Sequence, residues 1–150
     1  MNAEGNAFDP LCIKIAVPSV SAAQPLVIVI NDDQSLLESR RKLLEACGAS
    51  VSTACGELMA IREAILHPVD LVLIDATNVG LEHGEKICEI VRSIRPDQLI
   101  GLLVQPECGI PTDTSADRVI HRTGPRRMLV EANEMLSGRL NVELWQNGNS

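Results

Sequence analysis

Aromatic side chains are almost missing from this chain: Phe8 and Trp145 are present and tyrosine is absent. Any core must then be aliphatic, and the stacking platforms that hold single-stranded nucleic acid are excluded. Basic residues are outnumbered, 13 Lys and Arg against 20 Asp and Glu, for a formal net charge of −7. That balance argues against a nucleic-acid partner and leaves room for a cation-binding acidic cluster. The five cysteines, Cys12, Cys47, Cys55, Cys88 and Cys108, form no CxxC pair, and three scattered histidines complete no zinc pattern. The thiols read as reduced and mostly buried, in a reducing compartment. No apolar run approaches the roughly 18 residues that cross a bilayer. Glu4 stands where a signal peptide would be basic. The expectation is a cytoplasmic protein with no membrane partner. No glycine-rich phosphate loop follows an apolar run: Asn31-Asp32-Asp33-Gln34-Ser35 and Ala54-Cys55-Gly56 both lack one, which counts against a nucleotide binder.

What the chain does have is a rhythm of short apolar runs and amphipathic stretches. With 150 residues it is long enough for one domain with a sizeable core. Leu26 to Ile30, Val69 to Asp75 and Leu99 to Val104 are nearly unbroken runs of Val, Leu and Ile, the pattern of strands covered on both faces. Shorter strands are predicted over Ser50 to Ala54 and Arg118 to His121. Between them, helical spacing predicts helices over Gln34 to Ala46, Leu58 to Leu66, Gly84 to Ile94 and Pro125 to Leu136. In the second of these, Leu58, Ile61 and Ile65 are expected to face inward. Alternation of this kind implies βαβ units, hence an α/β fold with a doubly wound, five-stranded parallel sheet. One segment breaks the rhythm: Pro106, Gly109 and Pro111 leave 105–117 as a loop or a single turn.

The flanks differ in character. Residues 1–24 read as an N-terminal extension around the apolar patch Leu11 to Val17, whose alternation fits a strand or a loose arm. Residues 139–150 read as a tail, with Asn141 to Trp145 alternating as a strand would or fraying. His67 and His83 are expected in solvated loops, and Arg126-Arg127 on a solvated face.

Carboxylates end two of the strongest runs: Asp32 and Asp33 after Leu26 to Ile30, Asp75 at the close of Val69 to Asp75. In an open α/β sheet the ligand crevice lies beyond the carboxyl ends of the strands. If these strands are neighbours, three carboxylates converge, and a hard divalent cation such as Mg²⁺ would relieve their repulsion. Such a site can accept a phosphoryl group, with one carboxylate as nucleophile and a basic side chain steadying the phosphate. The plainer alternative is separate, solvated carboxylates at strand ends.

Over residues 25–138 the chain resembles the receiver domains of two-component response regulators. Ile30-Asn31-Asp32-Asp33-Gln34-Ser35-Leu36-Leu37 is similar to the family's acidic strand end and first helix. Leu71-Val72-Leu73-Ile74-Asp75 resembles the strand that ends on the phosphoacceptor, Gly84 to Pro96 the helix that follows, and Ala116 to Arg122 the run into the phosphate-facing lysine. The resemblance implies a flavodoxin-like receiver fold with the family's fourth helix shortened or missing. It implies a stand-alone signalling protein, not an enzyme, accepting a phosphoryl group on Asp75. Asp32 and Asp33 would hold Mg²⁺ with Asp75, Asn31 would make an outer contact, and Arg122 would face the phosphate. Expected partners are a sensor histidine kinase or phosphotransfer protein and a downstream protein target, with a homodimer left open. Departures cluster around this site. Asn31 replaces an acidic residue and implies weak Mg²⁺ binding. Val104 or Gln105 stands at the family's Thr or Ser, Arg122 at its lysine, Thr123 at its proline, and Val79 and His83 at its proline and glycine. The alternative they suggest is a pseudo-receiver, an interaction module that works without phosphorylation.

Overall fold

The structure, a computed structural model, describes residues 23–109 and 111–149, with side chains as far as Trp145. The strand expected at 11–17 lies outside the described residues. Ten elements follow in order: β1 (Leu26–Asn31), α1 (Gln34–Ala46), β2 (Ser50–Cys55), α2 (Glu57–Leu66), β3 (Leu71–Asp75), α3 (Leu81–Ile94), β4 (Ile100–Val104), β5 (Arg118–His121), α4 (Pro125–Met135) and α5 (Val142–Asn149). The five strands form one sheet in the order β2-β1-β3-β4-β5, and every pairing is parallel. Every residue of β3 and β4 is buried, as uninterrupted apolar runs require when helices cover both faces.

Side chains of successive strand residues leave the sheet on opposite sides, and two cores result. Val27, Val29, Leu71, Leu73 and Leu103 pack with α1, α4 and α5. Ile28, Ile30, Val72, Ile74 and Leu102 pack under α2 and α3. The chain leaves β1 for β2 on one side and returns to β3 on the other, with Ile30 in register with Ile74. This reversal puts the carboxyl ends of β1 and β3 side by side, where a doubly wound sheet opens its crevice.

No helix lies between β4 and β5 among the described residues, as expected for 105–117. That loop is tied down from α3. The Arg92 guanidinium donates to Ser115 O at 2.9 Å and to Asp117 Oδ2 at 2.8 Å, and Thr114 Oγ1 donates to Glu85 Oε1 at 2.8 Å.

Three local expectations are corrected. The tail is helical: α5 covers Val142–Asn149, because Leu140, Val142 and Trp145 close the α1/α4 side of the core and Asn141 N donates to Cys47 O at 2.9 Å. The inward face of α2 is Ala60 and Ala64, whereas Leu58 and Ile65 are exposed. Small residues let the helix lie close to the sheet, and the large ones turn outward. Third, α3 starts at Leu81, so His83 is helical and Gly84 lies within the first turn. A Cβ on Gly84 would meet Ala76 Cβ at 2.7 Å and Leu102 Cδ1 at 2.9 Å, so glycine is what lets α3 approach the sheet there.

His67 is exposed, as expected. Cys47 and Cys88 are buried, Cys108 half-buried and Cys55 exposed, and all four are free thiols. Burial, with the Glu85 charge adding to it, pushes the Cys88 thiol up to about 12.

Candidate functional site

Asn31 ends β1 and is 2% exposed. Its Nδ2 donates to the Asp75 carbonyl at 2.6 Å and to Asn78 Oδ1 at 2.7 Å. The first of these acceptors is a main-chain oxygen, so the amide orientation is fixed, and Oδ1 accepts from Asp33 N at 2.6 Å. Asn31 therefore uses its side chain to bind the two strand ends and the following loop together.

Asp75 ends β3 with its side chain 0% exposed, against an Arg40 side chain 4% exposed. It points to the α1 side of the sheet, where α1 lays Arg40 on its buried stripe with Leu37 and Leu44. Arg40 Nε donates to Asp75 Oδ2 at 2.7 Å. The other carboxylate oxygen accepts from Thr77 N at 3.0 Å and Thr77 Oγ1 at 2.6 Å. Arg40 Nη2 reaches the same hydroxyl at 3.5 Å. Both oxygens of the buried carboxylate are thus satisfied and its charge is matched, which a buried ion requires.

The other acidic residues turn elsewhere. Asp33 caps α1, its Oδ1 accepting from Ser35 N at 2.9 Å, Ser35 Oγ at 2.8 Å and Leu36 N at 3.3 Å. These hydrogen bonds, the Ser35 hydroxyl foremost, hold its carboxyl below the ordinary aspartate value. Asp32 is exposed, and its Oδ2 lies 3.5 Å from His83 Nε2 at the start of α3. Arg122 leaves the end of β5 half-buried, its N–H donating to Val104 O at 2.9 Å, and its guanidinium takes no part in the Asp75 pair. Gln105 Nε2 donates to Thr77 O and so holds the loop after Asp75, while Val104 is buried in β4.

The fold brings Asn31 and Asp75 together, with Asp33 joined to Asn31 through its main-chain N–H alone, and the side chains of Asp32, Asp33 and Arg122 take no part in the Asp75 pair. In this arrangement the residues do not fit Mg²⁺: Asp75 is neutralised by a guanidinium, the Asn31 oxygen is engaged, and Asp33 is committed to the helix. No group of three His, Cys, Asp or Glu side chains that could hold a metal occurs among the described residues. Arg40 and Thr77 were not singled out from sequence. A signal for Arg40 was available, since an arginine three residues after Leu37 and four before Leu44 falls on the apolar stripe and must find an anion there. Thr77 carried no comparable signal.

No protein-family model matches the chain, and no curated protein matches it significantly. Solved structures do. A CheY-like response regulator receiver domain protein from Methanospirillum hungatei superposes with a TM-score of 0.66 at 20% identity, over 78% of this chain and 97% of that one. The response regulator TrrA from Thermotoga maritima, solved with Mg²⁺-BeF, gives 0.63 at 22% identity over 75% and 99% of the two chains. A complex of the histidine kinase ThkA with TrrA gives 0.64 at 20% identity over 75% and 99%. The likeness establishes the receiver fold.

Proposed function

Starting from a chain with the receiver fold, we propose that it is a receiver-like signalling protein that works through protein contacts while Asp75 stays locked to Arg40 and unphosphorylated. One observation carries this reading: the Asp75 side chain is 0% exposed and ion-paired to Arg40 at 2.7 Å. A phosphodonor needs a carboxylate oxygen free to approach the phosphorus in line. Here each oxygen already accepts a hydrogen bond, and Arg40 supplies from within the fold the positive charge that a bound cation would bring. The site then acts as a fixed joint between β1, β3 and α1.

The position of Asp75 at the tip of a central strand beside Asn31 favours a second reading, phosphoryl transfer to Asp75. Asp32 and Asp33, with Asn31 outside them, would then have to regroup with Asp75 around a weakly held Mg²⁺, and Arg122 would have to swing to the phosphate. A sensor histidine kinase or phosphotransfer protein would be the donor, as the ThkA–TrrA complex suggests by likeness.

Incubation of the whole chain with acetyl phosphate and Mg²⁺, read by intact mass, separates the two. No adduct is expected. A gain of one phosphoryl mass that disappears in Asp75→Ala would overturn the locked reading in favour of the second.

A further inference from the structure

Six large hydrophobic residues are exposed among the described residues, and four of them, Leu58 (82%), Met59 (39%), Ile65 (57%) and Leu66 (53%), lie on α2. Leu58 and Met59 recur seven residues on as Ile65 and Leu66, nearly two full turns, which places all four along one side of the helix. A fifth, Leu26, is 45% exposed at the foot of the same region. Leu26 and Val27 line one depression with His67 and Pro68, the residues that leave α2. Asp70 N also donates to Leu26 O at 2.8 Å. The four α2 side chains make one apolar stripe rather than scattered exposures, and such a stripe marks a contact surface.

Two features of the chain identify the occupant. Arg62, exposed, sits in the middle of the stripe. Two copies packing α2 against α2 about a two-fold axis would set Arg62 against its own copy, a like-charge contact without a partner. The segment Leu11 to Val17 makes no such conflict. In the extended form that its alternation predicts, Leu11, Ile13, Ile15 and Val17 share one side while Lys14 points away from it. Lengths agree as well. Leu58 to Leu66 spans about 12 Å of helix, and Ile13 to Val17 spans about 13 Å when extended. Residues 18–24 can bridge up to about 25 Å, and they lead to Pro25, one residue before Leu26, which lines a depression with His67 and Pro68 just past α2. We infer that Leu11 to Val17 docks in cis on the outer face of α2 and covers Leu58, Met59, Ile65 and Leu66. This surface is independent of the chemistry at Asp75.

The test uses the full chain. In Ile13→Asp/Ile15→Asp, hydroxyl-radical oxidation of Met59 is expected to rise several-fold over the unsubstituted protein, at every protein concentration. Lys14 is the only Lys or Arg among residues 1–22, so tryptic cleavage after it reports release of the segment. The surface variant Leu58→Glu/Ile65→Glu, its fold checked by circular dichroism, is expected to speed that cleavage at least about fivefold, since cleavage tracks the population of the open form. Equal Met59 oxidation in both proteins, or an unchanged cleavage rate, would overturn the proposal. Met59 protection that grows with protein concentration would assign the face to a second copy and overturn it too.

Discussion

Asp75 and Arg40 show how one ion pair sets the character of a site. Separately, each would be an uncompensated charge in an aliphatic interior, and together they leave no charge to attract a cation. Arg40→Met should therefore destabilise the protein by about 3–5 kcal/mol, the usual cost of orphaning a buried charge. The double variant Arg40→Met/Asp75→Leu should recover most of that loss, because replacing both ions by apolar groups of similar volume is often neutral. Urea unfolding of the single and double variants gives the coupling directly. A single-variant loss no larger than that of an exposed pair would remove the basis for a locked Asp75. Asp33 does a different job from the one its place beside Asp32 suggested. Its carboxylate caps α1 and its pKa is lowered. That contribution is present above the ordinary aspartate value of 3.8 and is lost as pH falls through the lowered folded value. Asp33→Ala should be less stable than the parent at pH 7, and the gap should close below pH ~3.8. Thermal melts at the two pH values measure both quantities.

The elements of this fold are placed as much by small residues as by large ones. Gly84 lets α3 press against Ala76 and Leu102. Gly84→Ala puts a methyl group where atoms already lie under 3.0 Å, an overpacking expected to cost about 1–3 kcal/mol despite alanine's better helix propensity. A melting temperature equal to or above that of the parent would show that α3 can shift outward freely. Ala60 and Ala64 do the same for α2, with the consequence that its larger residues face out. The loop at 105–117 forms no helix among its described residues, and Cys108 N to Gln105 O at 3.0 Å is a lone turn within it. Arg92, with acceptors at Pro96, Gln98, Ser115 and Asp117, ties it to α3. Arg92→Met should raise amide exchange in 111–117 while leaving β4 protected, since local opening follows local contacts.

At the scale of the whole molecule, the described residues form one sheet with two apolar layers, and α5 belongs to one of those layers. Trp145, the single tryptophan, packs against the cluster that holds Leu37, Leu73 and Leu129. Its fluorescence should follow unfolding of the entire domain. Equilibrium unfolding monitored at Trp145 and by far-ultraviolet circular dichroism should give coincident curves with one midpoint. An earlier fluorescence midpoint would mean that α5 detaches before the sheet melts.

The order of strands and helices, the all-parallel sheet and the meeting of two strand tips were legible in the chain, because burial on both faces writes continuous apolar runs and short connections leave few topologies. Even α1 and β5 begin and end where periodicity and capping residues place them. Side-chain partnership was not legible. Whether the carboxylate of Asp75 meets a cation, solvent or a guanidinium depends on which helix crosses that strand tip and on the residue it presents there. The same holds for the outward turn of Leu58 and Ile65 and for the helical tail, where spacing alone fitted two answers. Periodicity describes one element at a time, whereas desolvation and charge pairing are settled between elements, and only their packing decided that Arg40, Thr77 and Asp75 share a closed site.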